Sequence, residues 1–340
     1  MRKLLISLVI ATMAVTASGA LLPDAKFRRL DTRDGLSNSQ VNCVYRDSRG
    51  FVWIGTAYGL NRYDGYRFKS FYTNQRDTTT IRDNQVTEIF EASDGRLWLH
   101  LGMNYCIYDP QTESFERNVN GELAKFGING GVERLYIDSR KNYWVKLYDD
   151  GLYYYNPFSK RLHKFELGYG PQELRPDYGI SNFADLGSSV IISTFNGEMV
   201  CFNGEKGWIS WQNKWMTRHG GVPSQEYSMR IDKKGNLYIR NIYNSFVYIQ
   251  KQKRWYKTLP DMLRAFGVEN VPQQLMVWDV LTDRRGQLWV ATDHDGLFVV
   301  DLKSRQLRQF LYDKFDPSSL SDNTPRNLYE DKDGQIWIGT

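Results

Sequence analysis

The chain has 340 residues, of which 41% are hydrophobic, 14% aromatic and 24% charged; this composition supplies a folded core and excludes a chain disordered throughout. The formal charge of +5 falls to +3 when Arg2 and Lys3 of the leader described next are set aside, too little to argue for nucleic acid or an anionic membrane. Three cysteines, Cys43, Cys106 and Cys201, are odd in number and scattered, which excludes a disulfide framework; each reads as a small buried hydrophobe.

Residues 1–20, MRKLLISLVIATMAVTASGA, join a short basic start to an apolar run from Leu4 to Val15 and then to small residues. Ser18 and Ala20 fit the small-residue cleavage rule, so the segment reads as a secretory signal peptide. The alternative is an N-terminal anchor, for which the apolar run is short.

From residue 21 to residue 340 one unit recurs. DSRGFVWIGTAYGL (Asp47–Leu60), DRRGQLWVATDHDGL (Asp283–Leu297) and DKDGQIWIGT (Asp331–Thr340) each open on Asp, place Gly three residues on and Trp three after that. That position is filled in turn by Trp53, Trp98, Trp144, Ile191, Tyr238, Trp289 and Trp337, at spacings of 45, 46, 47, 47, 51 and 48 residues. A near-constant period of this size predicts an all-β, seven-bladed β-propeller with four short strands per blade.

Within a unit, Val41–Arg46 or Val86–Phe90 reads as an inner strand, and the Gly-bearing D-x-x-G as a tight hairpin. W-I-G-T is the second strand, Leu60–Tyr63 or Leu297–Val300 the third, and Phe68–Tyr72 or Gln309–Tyr312 the outer one. The seventh copy stops at Thr340, so its blade is expected to be incomplete, as in the front part of a longer chain. Residues 26–30 read as an outer strand leading through a link to the first inner strand, and so as the strand that closes blade seven.

The motifs G-L-S-N-S-Q-V (Gly35–Val41), D-S-R-G-F-V-W-I-G-T (Asp47–Thr56), G-L-N-R-Y-D (Gly59–Asp64) and D-P-S-S-L-S-D-N (Asp316–Asn323) resemble the two-component regulator propeller repeat. The resemblance implies the N-terminal periplasmic sensor region of a bacterial hybrid two-component system. There a second propeller, a β-sandwich, a membrane span and a histidine kinase follow, usually with receiver and DNA-binding domains. It further implies an oligosaccharide ligand, control of glycan-utilisation genes and a homodimeric receptor. Kinase activity is not assigned to these residues.

In a propeller the loops joining second to third strands share a face with the interblade links. Here that face offers Tyr58, Tyr148, Asp149, Asp150, Asn196, Asp293, His294 and Asp295, with Asn38, Asn84, Asn129 and Asn323 from the links. Aromatic rings suit the apolar faces of sugars, and carboxylates and amides suit their hydroxyls; the bland alternative is ordinary turn chemistry. Trp208, Trp211 and Trp215 form the densest aromatic cluster, either a stacking platform or an outer strand and link over an irregular blade four. D-H-D-G at Asp293–Gly296 and D-K-D-G at Asp331–Gly334 lack calcium-loop spacing, and no metal or cofactor is assigned. Without H-E-x-x-H, G-x-S-x-G or a phosphate loop no catalytic residue is assigned. A secreted glycan lyase or hydrolase and a scaffold for protein partners stay open as alternatives.

Overall fold

The computed structural model describes residues 25–165, 179–187, 189–195, 197–213, 215–219, 226–241 and 243–340. The leader at 1–20 and Asn196 lie outside them, as do the side chains of Trp208 and Trp211.

Six antiparallel four-stranded sheets, each in chain order, are followed by a two-stranded seventh. Their inner strands are Val41–Arg46, Glu88–Glu91, Val132–Ile137, Ile180–Leu186, Ser228–Ile231, Val277–Thr282 and Asn327–Glu330. The second strands are Val52–Thr56, Leu97–Leu101, Tyr143–Leu147, Ser189–Thr194, Leu237–Arg240, Leu288–Thr292 and Ile336–Gly339. Outer strands run at Phe68–Phe71, Ser114–Glu116, Arg161–Phe165, Trp208–Asn213, Arg254–Tyr256 and Gln306–Phe310. Blade four, whose sequence drifts furthest, still forms all four strands. The links add short helices that the repeat did not announce, at Val119–Ala124, Trp215–Arg218 and Leu259–Ala265. The first and last start from side-chain caps at Asn118 and Thr258 and bury Leu123 and Met262 between blades.

The repeated Asp and Trp form a clasp. In blades one, three, six and seven the indole Nε1 donates to the hairpin Asp six residues earlier: Trp53 to Asp47 at 2.9 Å, Trp144 to Asp138 at 3.0 Å, Trp289 to Asp283 at 3.0 Å and Trp337 to Asp331 at 3.1 Å. The other carboxylate oxygen accepts the backbone N–H four residues on, from Phe51, Asn142, Gln287 and Gln335. One side chain thus fixes the hairpin and the indole that fills the gap to the next blade. Blade two has Ala92 in place of that Asp, and Trp98 Nε1 is buried without an acceptor. Ala92→Asp is therefore expected to stabilise the fold by about 1 kcal/mol, read as a higher urea midpoint at unchanged slope. A lower midpoint would mean that burying a carboxylate next to Glu91 costs more than the indole gains.

Glu91 already spans three blades. It accepts from Tyr45 and Ser48 N of blade one and from Lys141 of blade three. Burial alone would raise its pKa, but the Ser48 and Lys141 contacts outweigh it and hold the carboxyl below its ordinary range. Cys106 and Cys201 are buried and unbridged, as is the less buried Cys43; burial pushes the Cys106 thiol up to about 12.

Blade seven packs against blade one. Val41 N donates to Thr340 O at 3.2 Å, and Arg46 meets Asp331 at 3.0 Å and also Asp333. Residues 26–30 form no strand. Even so, their contacts copy those of a true outer strand. Phe27 N donates to Ser318 O at 2.8 Å, as Phe115 N does to Thr79 O at 2.8 Å. Arg29 grips Ser319, Asp316 and Asp313 just as Arg117 grips Thr80, Asp77 and Asn74. Between this segment and Ile336–Gly339 lies a cleft lined by Phe27, Trp289, Ile336 and Ile338.

Candidate functional site

Hydrogen bonds tie the second-to-third-strand loops to the interblade links, which puts both on one face. Ala57 N donates to Gln40 O, Gly59 N to Asn84 O, Tyr148 N to Gly131 O, Asp293 N to Met276 O and Gly296 N to Asn323 O. The link asparagines are part of this stitching: Asn84 accepts Thr73 N at 2.8 Å and Asn323 accepts Tyr312 N at 2.7 Å through their side chains. Asn38 caps Gln40 N, and Asn129 is exposed. These are turn-making contacts, the bland alternative for these positions.

Among the loop residues, Tyr58 is 56% exposed and leans on Tyr72 at 5.9 Å; Tyr148 is 60% exposed, and Asp149 points to solvent. Asp150 is spoken for. It pairs with Lys164 at 2.7 Å and accepts from Tyr153 Oη at 2.6 Å, and these contacts hold its carboxyl at about 2. His294, at φ +68°, pairs with Asp293 at 2.9 Å and stands well out in solvent; Asp295 is exposed beside it. The Tyr58, Tyr148 and His294 sets sit on blades one, three and six, so the face is a rim around the axis and not one pocket.

Trp215 belongs to the packing between blades four and five. Its ring stacks on His219 at 4.2 Å and on Trp255 at 4.9 Å, with Phe246 edge-on at 6.0 Å. Trp208–Asn213 is the outer strand of blade four, which is the bland alternative for the backbone of that cluster.

The inner strands turn charged residues toward the axis, and the repeat gave no sign of it. Arg134 donates to Glu88 at 2.8 Å, and His100 lies 3.3 Å from Glu88 and stacks on Tyr105 at 4.6 Å. Burial by itself would raise Glu88; Arg134 and His100 prevail and hold it low. In blades five and six Arg230 makes a two-point contact with Asp279, Nε at 2.9 Å and Nη2 at 2.7 Å. Asp279 also accepts Val280 N and Leu328 N at 2.9 Å each, and its charge lifts Arg230 above its ordinary value. At the mouth of the channel Arg240 and Arg326 both lie over the Trp278 ring, at 5.4 and 5.1 Å from its centroid. The only trace in the sequence is a charged residue at a strand position where half-buried apolar residues are usual. Among the described residues no group of His, Cys, Asp and Glu could hold a metal ion.

Residues 35–58 and 319–340 match the family model described as two component regulator propeller. The chain is thus a propeller carrying two-component regulator propeller repeats. It is 42% identical over 55 residues to histidine kinase P4 of Formosa agariphila, a stretch that is 16% of this chain and 4% of that protein. The extracellular domain of the hybrid two component system BT3049 from B. thetaiotaomicron has the same fold, with a TM-score of 0.67 at 18% identity over 93% of this chain and 40% of that one. The corresponding domain of BT4673 matches with a TM-score of 0.65 at 19% identity, over 90% and 38%. PorZ, a surface component of the type-IX secretion system of Porphyromonas gingivalis, gives 0.58 at 18%, over 92% and 47%. The chain therefore spans between 38% and 47% of the length of these three solved chains. Among the described residues no helix is long and apolar enough to cross a membrane.

Proposed function

We propose that the chain is the front propeller of the periplasmic sensing region of a hybrid two-component histidine kinase, exported by its leader, and that it takes part in detecting an oligosaccharide. The observation that carries this reading is the repeat match at 35–58 and 319–340, joined to the 42% identity with a histidine kinase. The exposed rim residues Tyr58, Tyr148, Asp149, His294 and Asp295, with half-buried Asp293, meet the ligand or the neighbouring propeller; Asp150 positions the loop from beneath. Residues 26–30 take the outer-strand position of blade seven without forming a strand, which the shared contact pattern of Arg29 and Arg117 supports. The cleft beside Ile336 and Ile338 is where the third strand of that blade belongs. In this reading the propeller itself performs no chemistry. A rearrangement of rigid propellers in a receptor dimer passes the signal to the kinase.

A thermal-shift screen of the full sensing region against oligosaccharides tests the reading. One glycan class is expected to raise the melting temperature, since a ligand at a hundred times its Kd adds about 2.7 kcal/mol to the native state. Cleavage of the sugar during the screen would favour a lyase or hydrolase, and no response to any glycan would sink the sugar-sensing role.

A further inference from the structure

Three consecutive blades bring an unneutralised pair of cations to the link-face mouth of the channel. Arg240 ends the second strand of blade five, Trp278 stands near the start of the inner strand of blade six, and Arg326 immediately precedes the inner strand of blade seven. The Arg240 guanidinium has no hydrogen bond or ion pair among the described residues; its contact is with the Trp278 ring. Arg326 is exposed, shares that ring, and likewise meets no carboxylate among the described residues.

The carboxylate that could serve Arg240 is already filled. A carboxylate accepts about four hydrogen bonds, and Asp279 takes two from Arg230, one from Val280 N and one from Leu328 N. Exposed Glu226 acts on Arg240 and Arg134 through space and pairs with neither among the described residues. Burial depresses the Arg240 guanidinium, Asp279 and Glu226 oppose that, and Arg230 adds to it. A half-buried cation kept short of a counter-ion, sharing one indole with a second, exposed one, is an arrangement that an incoming anion completes. Exposed Tyr243 and Met276 stand on the same face and offer apolar surface beside it.

We propose that Arg240, Arg326 and Trp278 form a subsite for the carboxylate or sulfate of an acidic sugar. It deepens the sensor reading and rests on it. A guanidinium can grip such a group through paired N–H donors, and the cation–π contact of each arginine with the Trp278 ring restrains it beside the indole.

Calorimetry on the full sensing region with trigalacturonate, a sulfated galactose disaccharide and neutral galactotriose tests the subsite and separates carboxylate from sulfate. An acidic probe is expected to bind at least tenfold more tightly than the neutral one, with affinity falling as NaCl rises. Arg326→Gln, at an exposed position, should weaken that probe about tenfold, and Arg240→Gln more than Arg240→Lys. Acidic affinity within twofold of wild type in both glutamine variants overturns the proposal, as does equal binding of the neutral probe. Binding of the neutral probe with neither acidic probe bound overturns the subsite and leaves the sensor reading in place. Thermal protection by inorganic sulfate that vanishes in Arg326→Gln, with no saccharide bound, upholds the anion subsite and removes the glycan reading.

Discussion

Trp144→Ala is expected to destabilise the propeller by about 3–5 kcal/mol, read as a lower urea midpoint with the slope unchanged. Its indole is fully buried, tilted against Tyr154 at 4.9 Å, and packed in one cluster with Phe183, Val190, Ile192 and Phe202 of blade four. Removing it opens a cavity between two rigid sheets whose strands cannot slide together without breaking the ring. Trp144→Phe separates the two parts of the effect, because it keeps most of the ring and deletes the donor to Asp138. Burial already raises Asp138, against the pull of Trp144 and Asn142. A carboxyl raised in the folded state weighs against stability increasingly as pH climbs from its unfolded value toward its folded one. Losing Trp144 Nε1 widens that window. The phenylalanine variant is therefore expected to lie closest to wild type below pH about 4 and to fall away as pH rises; a constant gap across pH would contradict the clasp.

Arg230→Met is expected to cost about 3 kcal/mol, the lower end of the range for breaking a buried pair by removing one partner. Asp279 is almost wholly buried and would keep its two backbone donors while losing its counter-charge, whereas Arg230 is 45% exposed on the channel side, so water softens the loss. The double variant Arg230→Met/Asp279→Leu is expected to recover part of the deficit, because no charge is then left stranded. Equal stability of the single and double variants would show that the pair matters through packing alone. Arg230 Nη2 also reaches Leu328 O at 3.3 Å, so the same change loosens blades five, six and seven together.

The blades were legible because Asp, Gly and Trp recur at fixed offsets in blades one, six and seven and in part in the others, and the clasp explains why the Asp and Trp recur. Ile191 and Tyr238 fill the Trp position with 4% and 5% exposure, so the drifted copies still pack, and period alone located them. The link helices left no periodic trace, since four to seven residues make less than two turns. The candidate site was less legible. Asp150 looked like a free loop carboxylate, but its partner Lys164 comes from the outer strand of the same blade, and pairing across strands cannot be read from spacing. Glu88, Arg134, Arg230 and Asp279 escaped notice because strand alternation does not say which face meets the channel. They find one another across blades some 46 to 49 residues apart in the chain.

The bond between Arg46 and Asp331 joins residues separated by 285 positions. Nearly every other contact in the ring is local, made within a blade or between one blade and the next, so blades can assemble in order as the chain is produced. The joint between blades one and seven cannot. Closing a loop of that length costs roughly 5 kcal/mol in chain entropy, offset only when Val41, Arg46 and Tyr329 engage and Phe27 and Arg29 seat on the link at 313–319. Ring closure is thus the slow, late event in folding. Until then the inner strand of blade one and its apolar neighbours stand open, and it is in that interval that the nascent protein is most exposed to misassembly.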